Sequence, residues 1–197
     1  MTLKLIITCA LVLLCTSIGD AQVALKKTEL TVADREAWQK TLRWPVELEE
    51  QWRRSRTTND RDQAGLVFHS LGRGNYLVMI EVQESSYQPH YVFMHYAEST
   101  GTPARLLKLK TYERDDDTGA VSTKLSVEIE GVATFDAAKK QLVVHTKGRG
   151  TGDCGSLVRY NITSTRPIPT EVRAHACYDD YSLGITDPNR WQKLSRF

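Results

Sequence analysis

The densest chemistry in the chain lies at Gly148-Arg149-Gly150-Thr151-Gly152-Asp153-Cys154-Gly155. Gly150, Gly152 and Gly155 match the pattern G-x-G-x-x-G. A dinucleotide loop of that pattern must open a helix whose N-terminus holds the pyrophosphate. Here 156–163 reads as a strand, so a dinucleotide site is rejected and no cofactor is expected. A glycine-rich hairpin can still aim backbone N–H groups at an anion, but its plain role is a tight turn with glycines at positive φ. The histidines are His69, His90, His95, His145 and His175. No two of them are spaced i, i+2, and His90 and His95 fall on opposite faces of one strand. No metal centre is expected from them. Asp115-Asp116-Asp117 lacks the alternating ligands and terminal glutamate of a calcium loop and reads as a solvated hairpin tip.

The N-terminus points to export. Lys4 supplies a positive charge, Leu5 to Leu14 is apolar apart from Thr8 and Cys9, and small residues lead to Gly19-Asp20-Ala21. That order fits a signal peptide over 1–21, cleaved after Ala21. The apolar run is shorter than the roughly 20 residues a membrane helix needs, and no later segment is long enough, so no membrane span is expected after cleavage. Cys9 and Cys15 lie in the signal. The mature chain keeps Cys154 and Cys177, and two cysteines in an exported protein imply one disulfide. Closing that loop is worth roughly 3 kcal/mol. The expected localisation is periplasmic or extracellular.

Two resemblances centre on the same turn. Gly152-Asp153-Cys154-Gly155 looks like the nucleophile turn of chymotrypsin-like cysteine proteases of the picornavirus type. That likeness implies a Cys154 thiolate, a base at His69 or His90, and an oxyanion hole of backbone N–H groups. Ser156 departs from it, standing where the family has a second glycine. The motif Arg149-Gly150-x-Gly152-Asp153-Cys154-Gly155, then Cys177 and Trp191, resembles the C-terminal end of an uncharacterised family of exported bacterial proteins. The resemblance covers roughly the last quarter of the chain. It implies a bacterial periplasmic or surface protein with a structural disulfide, and it brings no activity. It also leaves Arg149 and Asp153 structural roles, with Asp153 bonding to its own turn.

The chain has 197 residues, 41 % hydrophobic and 25 % charged, with 26 basic and 24 acidic side chains. That composition is ordinary for one globular domain, and the slight basic excess lacks the stripe of a nucleic-acid binder. After a tether over 22–33, residues 34–56 read as two short helices, broken at Pro45. The second has acids early and arginines late, as the helix dipole prefers. From 65 to 178 the period becomes that of strands: 65–71, 76–83, 90–97, 105–112, 121–130, 141–147, 157–163 and 171–178. Val121, Thr123, Leu125, Val127 and Ile129 alternate with polar residues, predicting one face in and one face out. Residues 179–197 form a tail. The expected fold is α+β, mainly an antiparallel β sandwich or barrel with two short N-terminal helices over one face or end.

In that reading Val144, Val158, Tyr160, Ile162, Val172, Ala174 and Ala176 point inward. The opposite face then gathers His145, Lys147, Arg159, Arg173 and His175, with Arg149 at the turn. Such a basic face suits an anionic partner or a solvated surface. Tyr87, Tyr91, Tyr96 and Tyr112 fit sheet packing or an interface. With no matched acid–base or nucleophile set beyond Cys154, the expected role is non-enzymatic: a disulfide-closed binding or accessory module for an envelope protein or anionic envelope polymer. A hydrolase with a Cys154 nucleophile and a structural envelope protein are the alternatives.

Overall fold

The structure is a computed structural model and describes residues 30–56, 63–85, 87–98, 103–115, 117–162, 166–177 and 185–194. The expected signal peptide, most of the tether and the tail residues 179–184 and 195–197 lie outside these. Two helices open the described chain, α1 (Val32–Leu42) and α2 (Val46–Ser55). Thr31 caps α1 in a reciprocal box: its hydroxyl accepts from the Asp34 N–H at 3.3 Å, and the Asp34 carboxylate accepts from the Thr31 N–H at 2.9 Å. This satisfies donors that a helix start leaves open. Pro45 caps α2 through its backbone geometry alone.

Twelve strands follow among the described residues. They are β1 (Leu66–Gly72), β2 (Asn75–Gln83), β3 (His90–Ala97), β4 (Arg105–Leu106), β5 (Leu109–Arg114), β6 (Val121–Ser126), β7 (Glu128–Glu130), β8 (Val132–Asp136), β9 (Gln141–Lys147), β10 (Gly155–Asn161), β11 (Ile168–His175) and β12 (Gln192–Lys193). All pairing is antiparallel. The first sheet runs β1-β2-β3-β4, with β7 beside the N-terminal half of β3; the second runs β12-β11-β10-β9-β8; β5 and β6 form a separate hairpin. The sheets face each other without closing into a barrel.

The first sheet is buried on both sides. Leu77 and Phe93 meet Leu142, Val144, Val158, Tyr160 and Val172 of the second sheet. Val78, Ile80, Val82, Val92 and Met94 meet Trp38, Leu42 and Trp44 of the helical layer. That double burial is why β2 and β3 read as nearly continuous apolar runs, whereas the second sheet alternates. The chain changes sheets between β7 and β8 at Gly131, where φ is +138° and a Cβ would stand 2.7 Å from the His145 carbonyl oxygen. A side chain there would be both strained and obstructed.

Three features depart from the sequence reading. The strand expected over 105–112 breaks after Leu106, where buried Leu107 donates its N–H to the Phe93 carbonyl at 2.8 Å. The strand expected over 121–130 divides at Val127 into β6 and β7. Its apolar face is not uniformly inward: Ile129 is buried, but Val121 is 39 % and Leu125 70 % exposed. β8 was not foreseen, nor was β12 within the expected tail 179–197.

Arg35 joins the layers. It is fully buried in α1. Its Nε donates to Glu49 Oε2 at 2.8 Å, Nη1 to the carbonyls of Ala64 at 2.8 Å and Gly65 at 3.2 Å, and Nη2 to the Glu81 carbonyl at 3.0 Å. The guanidinium also lies 3.8 Å from the Trp52 ring centroid. Removing one partner of a buried pair strands the other charge. Arg35→Ala is therefore expected to lower stability by about 3–5 kcal/mol, read from urea unfolding. The exposed Arg53–Glu36 pair is the comparison: Glu36→Ala should cost under about 1 kcal/mol. Similar losses in the two variants would refute a central role for Arg35.

Candidate binding cleft

The β5–β6 hairpin is anchored at one strand. Leu109 and Tyr112 of β5 are buried in the core between the sheets, and Tyr160 Oη of β10 donates to the Lys110 carbonyl at 2.9 Å. β6 overhangs. Between the hairpin, β7 and the inner face of β9–β10 lies an open cleft of about 540 Å³. Val144, Val158, Tyr160 and Ile129 give it an apolar floor; hydroxyls of Thr111, Ser126, Thr146 and Ser156 border it. Its charged residues are Glu113, Glu128 and Glu130 against Arg114, Lys124 and Lys147. Three of each sign leave the rim formally balanced.

One wall is held by side-chain bonds across the sheets. His90 Nδ1 lies 2.8 Å from Glu128 Oε1, which also accepts from Gln51 Nε2 at 3.1 Å. Gln88 is buried, and its amide pairs with Lys147 as a strand would: Oε1 accepts from the Lys147 N–H at 2.6 Å, and Nε2 donates to the Lys147 carbonyl at 3.0 Å. The same Nε2 lies 3.2 Å from Glu130 Oε1. These bonds fix the first sheet against the end of β9.

The glycine-rich turn and the disulfide form the end of the cleft. Cys154 is bonded to Cys177 and fully buried. A disulfide sulfur offers no thiolate, so in this state the turn carries no nucleophile. A Cβ at Gly148 would stand 2.5 Å from the Cys177 sulfur, and one at Gly155 (φ +131°) 2.0 Å from the Thr146 carbonyl oxygen. Gly148 and Gly155 are thus required by close chain passage, and β10 follows the turn where a dinucleotide loop needs a helix. Arg149 clamps the turn, donating through Nε to Asp153 at 2.8 Å and through Nη1 to the Cys177 carbonyl at 2.9 Å, with Thr151 also bonded to Asp153. The Arg149 bond first, and the Thr151 bond second, hold the Asp153 carboxyl well below its ordinary range.

The sequence-derived candidates are dispersed. His69 packs on Phe135 at 4.8 Å between ring centroids, and His90 pairs with Glu128; neither has a hydrogen bond to Cys154. His145, Lys147, Arg159, Arg173 and His175 do share the outer face of the second sheet, and residues 185–194 cross that face. Trp191 is buried there, 5.3 Å from the His145 ring and 6.2 Å from that of His175. Arg173 Nη1 donates to the Trp191 carbonyl at 3.0 Å, and Arg159 bonds to Asn189. Lys147 and His175 also reach the cleft. Asp115 accepts from the Thr118 N–H at 2.7 Å and closes its own turn. The sequence reading missed the cleft, Gln88 and the Glu128 pairing. Gln88, flanked by Pro89 in a polar link, carried no periodic signal.

Two pH effects follow. Asp153, held below its ordinary 3.8, binds fewer protons folded than unfolded, so its contribution is full above that value and disappears as pH falls through the folded one. Phosphine reduction of the disulfide is expected to be faster in Asp153→Asn than in the parent above about pH 5, with the difference shrinking below about pH 4. A gap independent of pH would refute the clamp. His69 and His145 are pushed down from 6.5, both first by burial and His145 also by Lys147. Their contribution is full above 6.5 and is lost as pH falls through the lowered folded values. Urea midpoints should drop between about pH 7.5 and 5, and less in His69→Phe. An equal drop in both proteins would refute the assignment.

No family model matches this chain, and neither does any curated protein or solved structure.

Proposed function

We propose that the chain is an exported, non-catalytic accessory module of the bacterial envelope that holds an extended segment of a partner protein in the cleft beneath the β5–β6 hairpin. The observation that carries this reading is the lining of the cleft: an apolar floor, a hydroxyl border and balanced charge. The hydroxyls of Thr111, Ser126 and Thr146 donate to the carbonyls of Lys124, Glu128 and Glu130, so their oxygens are left to accept from a peptide's N–H groups without selecting its side chains, and a rim with both signs orients a polypeptide without demanding a polyanion. The disulfide supports export, because such bonds persist in oxidising compartments. It also removes the thiolate that the cysteine-hydrolase alternative requires. No described helix is long and apolar enough to cross a membrane.

Panning a random peptide library on the immobilised mature chain tests the proposal. Selected peptides are expected to lose about tenfold in affinity, or about 1.4 kcal/mol, on Glu130→Lys at the cleft. They should bind Glu50→Lys on the exposed side of α2 unchanged. Selection of no peptide, or equal binding to both variants, would refute the cleft as a peptide site.

A further inference from the structure

β6 runs six residues with no shift of register against β5, no proline and no glycine. Among the described residues no strand pairs with its outer edge. Natural sheet edges are usually blunted by bulges, prolines, covering loops or charges; β6 has one such device, Lys124. Val121, Thr123 and Leu125 share one face of the hairpin with Lys110, Tyr112 and Arg114, because directly opposed residues lie on the same side. Ser122, Lys124 and Ser126 share the other with Leu109, Thr111 and Glu113. From Val121 to Leu125 every residue of β6 is exposed, including its two large apolar side chains.

We propose that two copies of this chain join along β6, antiparallel across a two-fold axis at Thr123, so that their hairpins form one four-stranded sheet. A two-fold axis normal to an antiparallel sheet preserves its faces, so opposed residues must come from the same face of each copy. That leaves few central registers. Centring on Lys124 sets the two lysines directly against each other, which is repulsive. Centring on Ser122 puts Val121 against Thr123 and leaves Leu125 opposite Gly119, which lies outside β6. Centring on Thr123 sets Val121 against Leu125 of the second copy in both directions, Thr123 against itself, and Ser122 against Lys124.

Charge favours the same register. It creates the row Glu113, Ser122, Lys124 of the second copy, Thr111 of the second copy. Strands lie about 4.8 Å apart, so that lysine crosses one small serine to approach Glu113. Neither Glu113 nor Lys124 has an ion-pair partner among the described residues. The lysine that opposes the register centred on itself therefore gains a partner in this one. Pairing adds main-chain hydrogen bonds along the strand, and the short interface belongs to the weak, reversible class.

Sedimentation of the mature chain from about 10 µM to 1 mM tests the proposal. A monomer–dimer equilibrium is expected. Thr123→Lys should raise its dissociation constant by at least about tenfold, by placing two lysines on the axis. Mixing Thr123→Lys with Thr123→Glu should restore association, which a misfolded variant would not do. Under mild oxidation Thr123→Cys should cross-link two copies, and Lys124→Cys, facing Ser122, should not. A chain monomeric throughout, whether because its own residues 22–29 or another protein covers the edge, overturns the proposal. So does a dimer unaffected by Thr123→Lys, no restoration in the mixture, or equal cross-linking at both positions. Peptide binding at Glu130 is read separately, so either proposal can fail alone.

Discussion

A buried guanidinium has to be surrounded by acceptors, because an uncompensated charge in the interior costs several kcal/mol. Arg35 meets that demand from three parts of the chain: Glu49 of α2, the carbonyls of Ala64 and Gly65 ahead of β1, and the Glu81 carbonyl of β2. The helices and the first sheet consequently have one mutual placement that satisfies the charge. Hydrophobic contact alone would fix them less well, since α2 has few apolar residues and leaves Val46 56 % exposed. Trp44 extends the arrangement by donating its indole N–H to Glu49 at 3.2 Å, while Trp52 lies against the guanidinium. Gly65 fits because a Cβ there would stand 3.0 Å from the Trp52 indole nitrogen and 3.4 Å from Arg35 Nη1.

The second sheet is positioned by different means. The apolar layer of Leu77, Phe93, Leu142, Val144, Val158 and Val172 supplies much of the burial, which is favourable but non-directional. Direction comes from the edges. Gln88 holds both backbone groups of Lys147, and Gly131 brings the chain across with its N–H donated to the Pro89 carbonyl at 3.0 Å. At the same end of β9 the disulfide and the Arg149–Asp153 clamp close the turn into β10. The cleft lies next to these fixed points, so its wall and end are rigid while its roof is a hairpin attached through β5. That combination suits a site that admits an extended segment without rearranging the core.

Much of this architecture was legible in the sequence because it rests on local pattern. The helices were expected at 34–56 from apolar spacing, Pro45 and charge order, and they occupy 32–55. Val144, Val158, Tyr160, Ile162, Val172, Ala174 and Ala176 were expected inward by alternation and are buried. Cys154 and Cys177 were expected to pair, and they do. Less legible were the places where a long-range contact overrides a local run. The break after Leu106 depends on the Phe93 carbonyl, and the one at Val127 on β7 joining β3 while β6 stays with β5. The buried role of Arg35 was invisible for the same reason, since its acceptors lie 14 to 46 residues away. The cleft is a product of that topology and leaves no motif.

β6 shows what a period of two does and does not establish. Alternation of apolar and polar residues is evidence that one side of a strand has been kept apolar. It identifies no covering partner. In β9, β10 and β11 the cover is the first sheet and β5, so alternation and burial coincide. In β6 the pattern is as regular, but the division at Val127 carries Ile129 into the core, leaves Val127 half-buried against the helical-side cluster, and puts Val121 and Leu125 on an edge that is unpaired among the described residues. Isolated exposed hydrophobics are ordinary on protein surfaces. Two on one face of a regular edge strand, spaced so that a second copy inverts one onto the other, form a self-complementary pattern. The physical content of such a strand lies in which registers it permits, and here side-chain facing, the charge on Lys124 and the pairing of both Val121 and Leu125 favour the one centred on Thr123.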